Sequence, residues 1–430
     1  FGSSLGSSSC TLPAQSWNTD MVRSHRIAAS VVASLTLVPV PRRRPACCAE
    51  PPGGQRKLSY YGSYASDRFR GGIGNRVGVD ESRSKELPGS GVVRAAVFSE
   101  THDRLRDWAT AENWRQATEI HKAAYFTRTE NPLQEAVVEH IRQHYKSSAH
   151  VSREPVQMAL FRLEDVSSFK ERCQKATVSR LPEIVHGVFD EKSEKCIVDF
   201  ANKRLGGGWL SYGCVQEEIM FIQRFDYGAI CARSLLEMPD PSAEPLASPF
   251  SMHPNEAWLL RGAPSYAELG WYGRPPKNAM ERVKLLDPAE DQATMPTVVA
   301  IDAIKANFET YEREHLEMML VKAYTGFVAA REDPDLGGQD LIATGSWGCG
   351  AFYNSEPVMF AVQVLAANAA GVRLTYHVLG DGRALAPAVA LLEEALVKKL
   401  SVAETLDLVA ARCAEDPDWR TKFKPLKSSM

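Results

Sequence analysis

The sequence predicts an α/β layer fold, preceded by a helical segment and by a leader without regular structure. From residue 181 to 430, short β-rich runs alternate with longer helical stretches, the pattern of a sheet covered by helices. From 91 to 180, apolar residues recur with helical spacing. Residues 1–90 are rich in Ser, Gly, Pro and Arg and lack periodicity. We therefore expect a leader over 1–90, an N-terminal helical accessory domain over 91–180, and an α/β domain with C-terminal helices over 181–430.

The composition allows a large buried core and argues against a charge-driven nucleic-acid binder. The 430 residues are 44% hydrophobic and 24% charged, with a net charge of −3 and a pI near 6.4. Proteins that follow phosphates by surface charge are usually basic. No CxxC motif and no Cys or His cluster with zinc-ligand spacing occurs. No apolar run reaches the about 20 residues of a membrane span, so we expect no direct nucleic-acid partner, no membrane and no metal.

The leader contains a candidate targeting signal. From Met21 it is rich in Arg, Ser, Ala and Val and has no acidic residue before Glu50, which resembles an organelle transit peptide. A secretory signal and a disordered tail are the alternatives. We expect a nuclear or cytoplasmic protein, and this segment leaves a mitochondrial or other organelle address open.

The accessory segment shows one clear amphipathic helix. Apolar residues recur every four positions from Leu133 to Tyr145, directly after Pro132, and proline is favoured in the first turn of a helix. The stretches "AENWRQATEIHKAAYF" and "EPVQMALFRLEDVSSFKERC" have the same character, and we assign both to helices whose Trp and Phe residues lie in the core.

The α/β segment contains short runs that are typical of strands and long stretches that are typical of helices. The strand candidates are "EIVHGVF", "CIVDFA", "AWLLRGA", "TVVAIDA", "LIATGSWG" and "VRLTYHVLG". The helix candidates are "NFETYEREHLEMMLVKAYTGF" and "SEPVMFAVQVLAANAAG". Ligands of α/β sheets bind at the carboxyl ends of the strands, so the residues after each strand are the candidates for chemistry.

A glycine triplet follows one of these strands. The strand "CIVDFA" contains Asp199 and is followed by Asn202 and then by Gly206, Gly207 and Gly208. Glycine permits a positive φ and a close approach of the backbone to a ligand, and such loops direct N–H groups at phosphate oxygens. The triplet therefore predicts a site for an anion about the size of a diphosphate.

Adjacent acids follow the triplet at the start of a predicted helix. They are Glu217 and Glu218, preceded by Gln216. Burial and like charge would raise the pKa of one of them, and a protonated glutamic acid is what a glycosidic leaving group needs. The alternative is an exposed acidic pair, because helix N-termini favour acids in any case.

A second glycine cluster occurs in "ATGSWGCGAFYNSEP", between a predicted strand and a predicted helix. It contains Gly345, Gly348 and Gly350, and a strand–loop–helix of this kind is a phosphate-binding arrangement. A tight structural turn is the alternative. Phe352 and Tyr272 are aromatic candidates for packing on a sugar or base, with an ordinary core position as the alternative for each.

These motifs together resemble the poly(ADP-ribose) glycohydrolase family of the eukaryotic type. Its signature is a triple glycine, a short spacer and QEE, which stands here as "GGGWLSYGCVQEE", with "VDFAN", "VVAIDA", "KAYTGF" and "ATGSWGCGAF" in the same order. The resemblance covers about residues 180 to 385 and implies a macrodomain-like mixed sheet flanked by helices. It also implies cofactor-free, exo-acting hydrolysis of poly(ADP-ribose) to ADP-ribose, ADP-ribosylated proteins as partners, a monomer, and a part in the DNA damage response.

The resemblance also implies roles for individual residues. Glu218 would protonate the ribose 2′-oxygen and then deprotonate water, and Glu217 would hold a ribose hydroxyl. Asp199 would brace the glycine loop, and Asn202 would bond the distal ribose. The remaining substrate-binding positions are Gly206, Gly207 and Gly208 at the diphosphate, Gln216 beside the acids, Tyr272 near the diphosphate, Gly348 and Gly350 in the second cluster, Phe352 against the ribose, and Asp190 at the adenine amine.

The chain departs from the family pattern on the adenine side. Ser346 stands where the family has asparagine, "YNSEP" replaces small glycines and an aspartate, and Leu379 replaces an aromatic that stacks on adenine. The QEE motif is intact. A non-catalytic reader of ADP-ribose stays open as an alternative function, as does a related ADP-ribose esterase or mono-ADP-ribosyl hydrolase.

Overall fold

The architecture is described by a computed structural model over most of the chain. The described residues are 85–125, 131–148, 154–188, 193–211, 213–237, 250–288, 295–305, 311–380, 382–416 and 419. The predicted leader lies outside them apart from residues 85–90, and the candidate residue Asp190 lies outside them as well.

A mixed sheet forms the centre of the fold. Within the described residues it has nine strands in the order β1–β2–β3–β6–β9–β5–β10–β11–β4. Following this order, neighbouring strands pair antiparallel from β1 as far as β9. From β9 to β4, neighbouring strands pair parallel. The strand bounds are β1 Lys85–Glu86, β2 Val92–Glu100, β3 Val156–Leu163, β4 Glu183–His186, β5 Cys196–Ala201, β6 Glu256–Arg261, β7 Ala267–Leu269, β8 Val283–Leu285, β9 Thr297–Asp302, β10 Leu341–Gly345 and β11 Arg373–Val378. Strands β7 and β8 form a separate antiparallel pair.

Helices cover both faces of the sheet. The helix bounds are α1 His102–Trp108, α2 Ala111–Tyr125, α3 Pro132–Ser147, α4 Val166–Lys175, α5 Gln216–Gln223, α6 Phe225–Leu236, α7 Ala279–Arg282, α8 Arg313–Glu332, α9 Glu356–Ala370, α10 Ala386–Lys398 and α11 Val402–Glu415. In the part of the chain that the structure describes, none of them is both long and apolar enough to cross a membrane.

The sheet divides the buried apolar residues into two cores. In β5, Ile197 belongs to the core that contains α1, α2, α3, α5 and α6, whereas Val198 belongs to the core that contains α4, α8, α9, α10 and α11. Successive side chains of a strand point to opposite faces. A strand covered on both faces therefore has to be apolar at nearly every position, as the sequence "CIVDFA" is.

The predicted strands and helices of the α/β segment are confirmed, and so is the helix that begins at Pro132. The start of that helix is fixed by Asn131, whose side chain accepts a hydrogen bond from the Gln134 N–H. Helix α9 ends at Gly371, which adopts a left-handed φ of 75°, the usual glycine role after a helix C-terminus.

The helical assignment of residues 91–180 is wrong for two segments. Val92–Glu100 and Val156–Leu163 are strands β2 and β3, and β3 pairs with β6 of the α/β segment. The run "VQMALFRL" is buried at most positions on both faces, and periodicity alone does not distinguish such a run from a buried helix. Residues 91–180 are thus partly helical and share the central sheet with residues 181–430.

A buried polar network connects the N-terminal helices to the core. Asp226 on α6 accepts hydrogen bonds from the hydroxyls of Tyr145 on α3, at 2.8 Å, and Tyr266, at 2.9 Å. His102 on α1 lies 3.1 Å from the same carboxylate through Nδ1. All four side chains are buried, and each partner satisfies a group that would be costly to bury alone.

We predict that Asp226→Ala lowers the free energy of unfolding by about 2–4 kcal/mol, because three buried donors lose one acceptor. Chemical denaturation measures this change. Asp407→Ala is the control, since Asp407 pairs with Arg313 on the surface, where its side chain is exposed, and such a pair contributes about 0–1 kcal/mol. Equal losses in the two variants would contradict the structural role assigned to the network.

Candidate active site

Two glycine-rich loops meet at one edge of the sheet. The first glycine loop, residues 202–215, follows β5, and the second glycine loop, residues 346–355, follows β10. Strands β5 and β10 are parallel neighbours, so their carboxyl ends lie together. A Cβ on Gly345 would lie 3.5 Å from the Phe200 ring, which shows how closely the two strand ends approach. Both loops therefore begin at the same edge of the sheet.

The first turn of α5 points its side chains back at the segment that precedes it. Gln216 accepts a hydrogen bond from the Phe200 N–H at 2.9 Å and donates one to the Val198 carbonyl at 3.3 Å. Both partners lie in β5. The glutamine thus attaches the helix N-terminus to the end of the strand through backbone groups, whereas the sequence placed it among the substrate-binding residues.

Glu217 likewise attaches the helix N-terminus to the backbone, at residues that follow β5. Its two carboxylate oxygens accept the N–H groups of Asn202 at 2.8 Å and Gly206 at 2.7 Å. Each such hydrogen bond contributes about 0.5–1.5 kcal/mol net, so Glu217 fixes the entry to the first glycine loop. This is the bracing role that the sequence analysis assigned to Asp199, which lies buried near Glu217.

Glu218 contacts the end of the same loop. Its oxygens accept the N–H of Gly208 at 3.2 Å and the N–H of Val215 at 3.0 Å. Val215 is the residue before α5, so the second bond satisfies a helix N-terminal donor. The carboxyl is thereby held in one orientation by two backbone groups from opposite ends of the loop.

The carboxyl groups of Asp199, Glu217 and Glu218 form a buried acidic cluster. Their residues are 0%, 1% and 7% exposed, so Glu218 is the member with access to the cleft. Burial raises the pKa of Glu218, and the hydrogen bonds from Gly208 and Val215 oppose that shift. Burial raises the pKa of Glu217 further, with the charges of Asp199 and Glu218 adding to the effect. The arrangement thus raises the pKa of both glutamates, and Glu218 is the more exposed of the two.

The space around these acids requires glycine. A Cβ on Gly207, whose φ is +50°, would lie 2.4 Å from Glu218 Oε1 and 2.8 Å from Glu217 Oε2. A Cβ on Gly213 would lie 2.4 Å from Glu218 Cγ. Real side chains do not tolerate such distances, so these glycines allow the backbone to pass directly over the carboxyls.

The expectation that the glycine triplet presents bare amides to a diphosphate is wrong in its detail. The N–H groups of Gly206 and Gly208 bind Glu217 and Glu218, and the N–H of Gly207 binds the Arg204 carbonyl at 2.9 Å. The triplet therefore organises the acids.

The second glycine loop has backbone N–H groups at its glycines that make no hydrogen bond within the described residues. Its backbone N–H groups make no hydrogen bond to another described residue at four positions, which are Gly348, Gly350, Ala351 and Phe352. Gly348 has a φ of +68°, and a Cβ there would lie 2.4 Å from Ala303 Cβ. The loop leads into helix α9, whose N-terminus adds a favourable potential for an anion.

Three further predicted residues are Tyr272, Phe352 and Asn202. The ring of Tyr272 is 58% exposed; desolvation of its hydroxyl and the charge of Glu218 raise the pKa of Tyr272, and a bond from the Gln216 N–H lowers it. Phe352 is half-buried against the larger core. The Asn202 side-chain oxygen accepts the Arg204 N–H at 3.1 Å, and no described residue accepts from its Nδ2. That Tyr272, Phe352 and Asn202 contact the substrate stays a prediction.

Sequence reasoning missed two side chains from the N-terminal helices. His121 on α2 lies 2.9 Å through Nε2 from the Gly207 carbonyl. Gln134 on α3 donates to the Trp209 carbonyl at 3.2 Å and to the Gly213 carbonyl. Both side chains are buried, and each occupies the apolar stripe of its helix. A polar residue on that stripe was the available signal.

The fold defines a macro-domain type of α/β protein with a buried acidic cluster beside its first glycine loop. The family model described as "Poly (ADP-ribose) glycohydrolase (PARG), Macro domain fold" matches residues 167–385. The chain therefore belongs to the poly(ADP-ribose) glycohydrolase family, as the resemblance predicted. The described residues contain no group of His, Cys, Asp and Glu side chains placed to bind a metal ion.

The similarity to individual relatives is low in sequence identity and covers only part of each chain. The chain is 28% identical over 230 residues to poly(ADP-ribose) glycohydrolase 1 of Caenorhabditis elegans, covering 50% of this chain and 28% of that one. It is 36% identical over 135 residues to poly(ADP-ribose) glycohydrolase 1 of Arabidopsis thaliana, covering 30% of this chain and 22% of that one. The matches thus span less than half of these relatives. The crystal structure of the Thermomonospora curvata poly(ADP-ribose) glycohydrolase aligns at 15% identity over 62% of this chain and 99% of that one, with a TM-score of 0.39.

We predict that Gly207→Ala displaces the acids and lowers kcat/KM for a substrate of the site by about 100-fold or more, because a misplacement of about 1 Å has that effect. The assay compares it with Gly338→Ala. Gly338 has a φ of +82° but nothing within 4 Å of a Cβ, so that variant measures backbone strain alone, about 1–2 kcal/mol. Full activity in Gly207→Ala would show that the glycine is not needed for the position of the acids.

Proposed function

We propose that this protein hydrolyses the ribose–ribose glycosidic bonds of poly(ADP-ribose) and releases ADP-ribose. The observation that carries the proposal is the position of Glu218. It is the carboxyl of the acidic cluster that reaches the cleft, its pKa is raised by burial, and it lies at the same sheet edge as the donors of the second glycine loop. Glycoside cleavage needs a carboxylic acid of this kind. Family membership supports the same substrate.

Glu218 would act twice in the reaction. As an acid it donates its proton to the 2′-oxygen of the leaving ribose while the bond from that oxygen to the anomeric carbon breaks, and the electron pair stays on the oxygen. The sugar passes through an oxocarbenium-like state. The Glu218 carboxylate then takes a proton from the water that attacks the anomeric carbon, which regenerates the acid. No cofactor is needed for these steps.

The structure supports different roles for the first and the second glycine loop. The amides of the first glycine loop position Glu217 and Glu218, whereas the free amides of the second would hold the diphosphate. Glu356 lies at the start of α9 and accepts a hydrogen bond from Ser346 at 2.7 Å. Burial raises the pKa of Glu356, which favours its neutral form beside a loop that holds an anion.

A non-catalytic reader of ADP-ribose is the second candidate. A reader requires the second glycine loop but has no need of three carboxyls buried together, because their mutual repulsion weakens the fold. The acidic cluster therefore favours the enzyme. An esterase or mono-ADP-ribosyl hydrolase would use the same acid, and a comparison of polymer, ester-linked and single ADP-ribose substrates distinguishes these activities.

We predict that Glu218→Gln reduces kcat for polymer hydrolysis by about 10³-fold or more, because it removes the proton donor. Isothermal titration calorimetry should show an ADP-ribose affinity within about 3-fold of the parent, since the amide keeps the shape of the side chain.

The matched control is Glu171→Gln, on the exposed surface of α4, which should leave both quantities unchanged. Release of ADP-ribose by Glu218→Gln at the parental rate would refute the assigned role. Tight ADP-ribose binding by the parent without any hydrolysis would favour the reader.

We also predict that kcat/KM falls as the pH rises through the pKa of Glu218. Burial holds that pKa above the ordinary value of 4.5, and the acid has to be protonated for the bond to break. A profile of kcat/KM over about pH 5 to 9 checks this. A rate that rises steadily to the alkaline end would contradict protonated Glu218 as the acting species.

A further inference from the structure

A histidine outside the sequence motifs lies against the first glycine loop. His121 is buried on α2, and its Nε2 lies 2.9 Å from the Gly207 carbonyl oxygen. Burial lowers the pKa of His121 to about 4, with Arg204 adding to the shift and the Gly207 bond opposing it. The neutral ring therefore donates its Nε2–H to the carbonyl.

A single peptide group connects the hydrogen bond of His121 to Glu218. The Gly207–Gly208 peptide is trans, so its carbonyl and its N–H point in opposite directions. The carbonyl accepts from His121 at 2.9 Å, and the N–H donates to Glu218 Oε1 at 3.2 Å. The imidazole and the carboxyl thus lie at opposite edges of the same peptide group.

That peptide needs an external partner because glycine flanks it on both sides. Gly207 has a φ of +50°, and glycine populates positive and negative φ about equally. A peptide between two glycines can therefore turn over with little steric resistance, and in the turned form the Gly208 N–H would leave Glu218. A buried donor at the carbonyl selects one of the two orientations.

A second side chain repeats the arrangement. Gln134 on α3 donates to the carbonyl of Trp209, within the Gly208–Ser211 turn, and to the carbonyl of Gly213, which follows it. The outward carbonyls of the first glycine loop are thus held by the N-terminal helices, while its N–H groups are held by Glu217 and Glu218.

We infer that His121 is a positioning residue for the acid, acting through the Gly207–Gly208 peptide on Glu218. This rests on the proposed function, because Glu218 is the reacting group there. His121 lies far in sequence from the catalytic motifs and does not touch the substrate-binding donors of the second glycine loop. Its loss should therefore reduce kcat and leave KM nearly unchanged.

The test compares His121→Leu, which removes the donor and keeps much of the volume, with His121→Gln, whose amide replaces the Nε2–H. We expect His121→Leu to lower kcat on poly(ADP-ribose) by about 10- to 100-fold with KM within about 3-fold. His121→Gln should recover kcat to within about 5-fold of the parent, because the donor is restored.

His144→Leu is the matched control. His144 also bonds a backbone carbonyl through Nε2, that of Leu286 at 2.8 Å, so the variant removes the same kind of bond away from the loop. An equal loss of kcat in His144→Leu, or no recovery in His121→Gln, would mean that His121 acts only on stability. A kcat within 2-fold of the parent in His121→Leu would overturn the inference as well.

Crystal structures of the two His121 variants give a readout that does not depend on turnover. We expect the Gly208 N–H to have left Glu218 in His121→Leu and to contact it in His121→Gln. An unchanged Gly207–Gly208 peptide in His121→Leu would overturn the inference. If the parent protein releases no ADP-ribose while the peptide still turns in His121→Leu, the proposed function fails and the positioning of Glu218 by His121 stands.

Discussion

The structure depends on three consecutive side chains that accept or donate hydrogen bonds backward along their own chain. Gln216 binds the backbone of β5, Glu217 binds the entry of the first glycine loop, and Glu218 binds its end. The N–H groups of Gly206 and Gly208 are thereby satisfied by side chains of the helix that follows. The loop shape and the position of the acids determine each other, because neither is stable without the hydrogen bonds of the other.

The same contacts hold acidic side chains in a buried place, where desolvation disfavours their charged forms. The raised pKa of Glu217 and Glu218 means that the folded protein binds protons that the unfolded chain releases, so this contribution to stability is complete at low pH and declines as the pH rises through the folded values. His121 acts in the opposite sense, because its lowered pKa makes stability grow as the pH rises from about 4 toward 6.5. The acidic cluster therefore makes the folded protein less stable as the pH rises, and the same burial provides a carboxyl that can give up a proton.

Much of the α/β domain was predictable because each buried strand is a short apolar run that ends at polar or glycine residues, as "CIVDFA" does before Asn202. Strand β3 was not, because its run lacks periodicity and is followed after two residues by helix α4, so that the whole stretch was assigned to one helix. At the site, the residue types identified the acids and the loops, but hydrogen-bond direction did not follow from them. Whether a Gly208 N–H points at a ligand or at Glu218 depends on a peptide orientation that His121, 87 positions earlier in the sequence, helps to set.

The polar contacts of His121 and Gln134 have a consequence for where the working unit of this protein begins. The family match starts at residue 167, after both side chains and after strands β2 and β3. A chain trimmed to that match would keep every signature residue, yet it would expose the edge of β6 and leave three carbonyls of the loop without donors. The part of the chain that keeps these hydrogen bonds is thus larger than the family match, because it includes the N-terminal helices and strands β2 and β3.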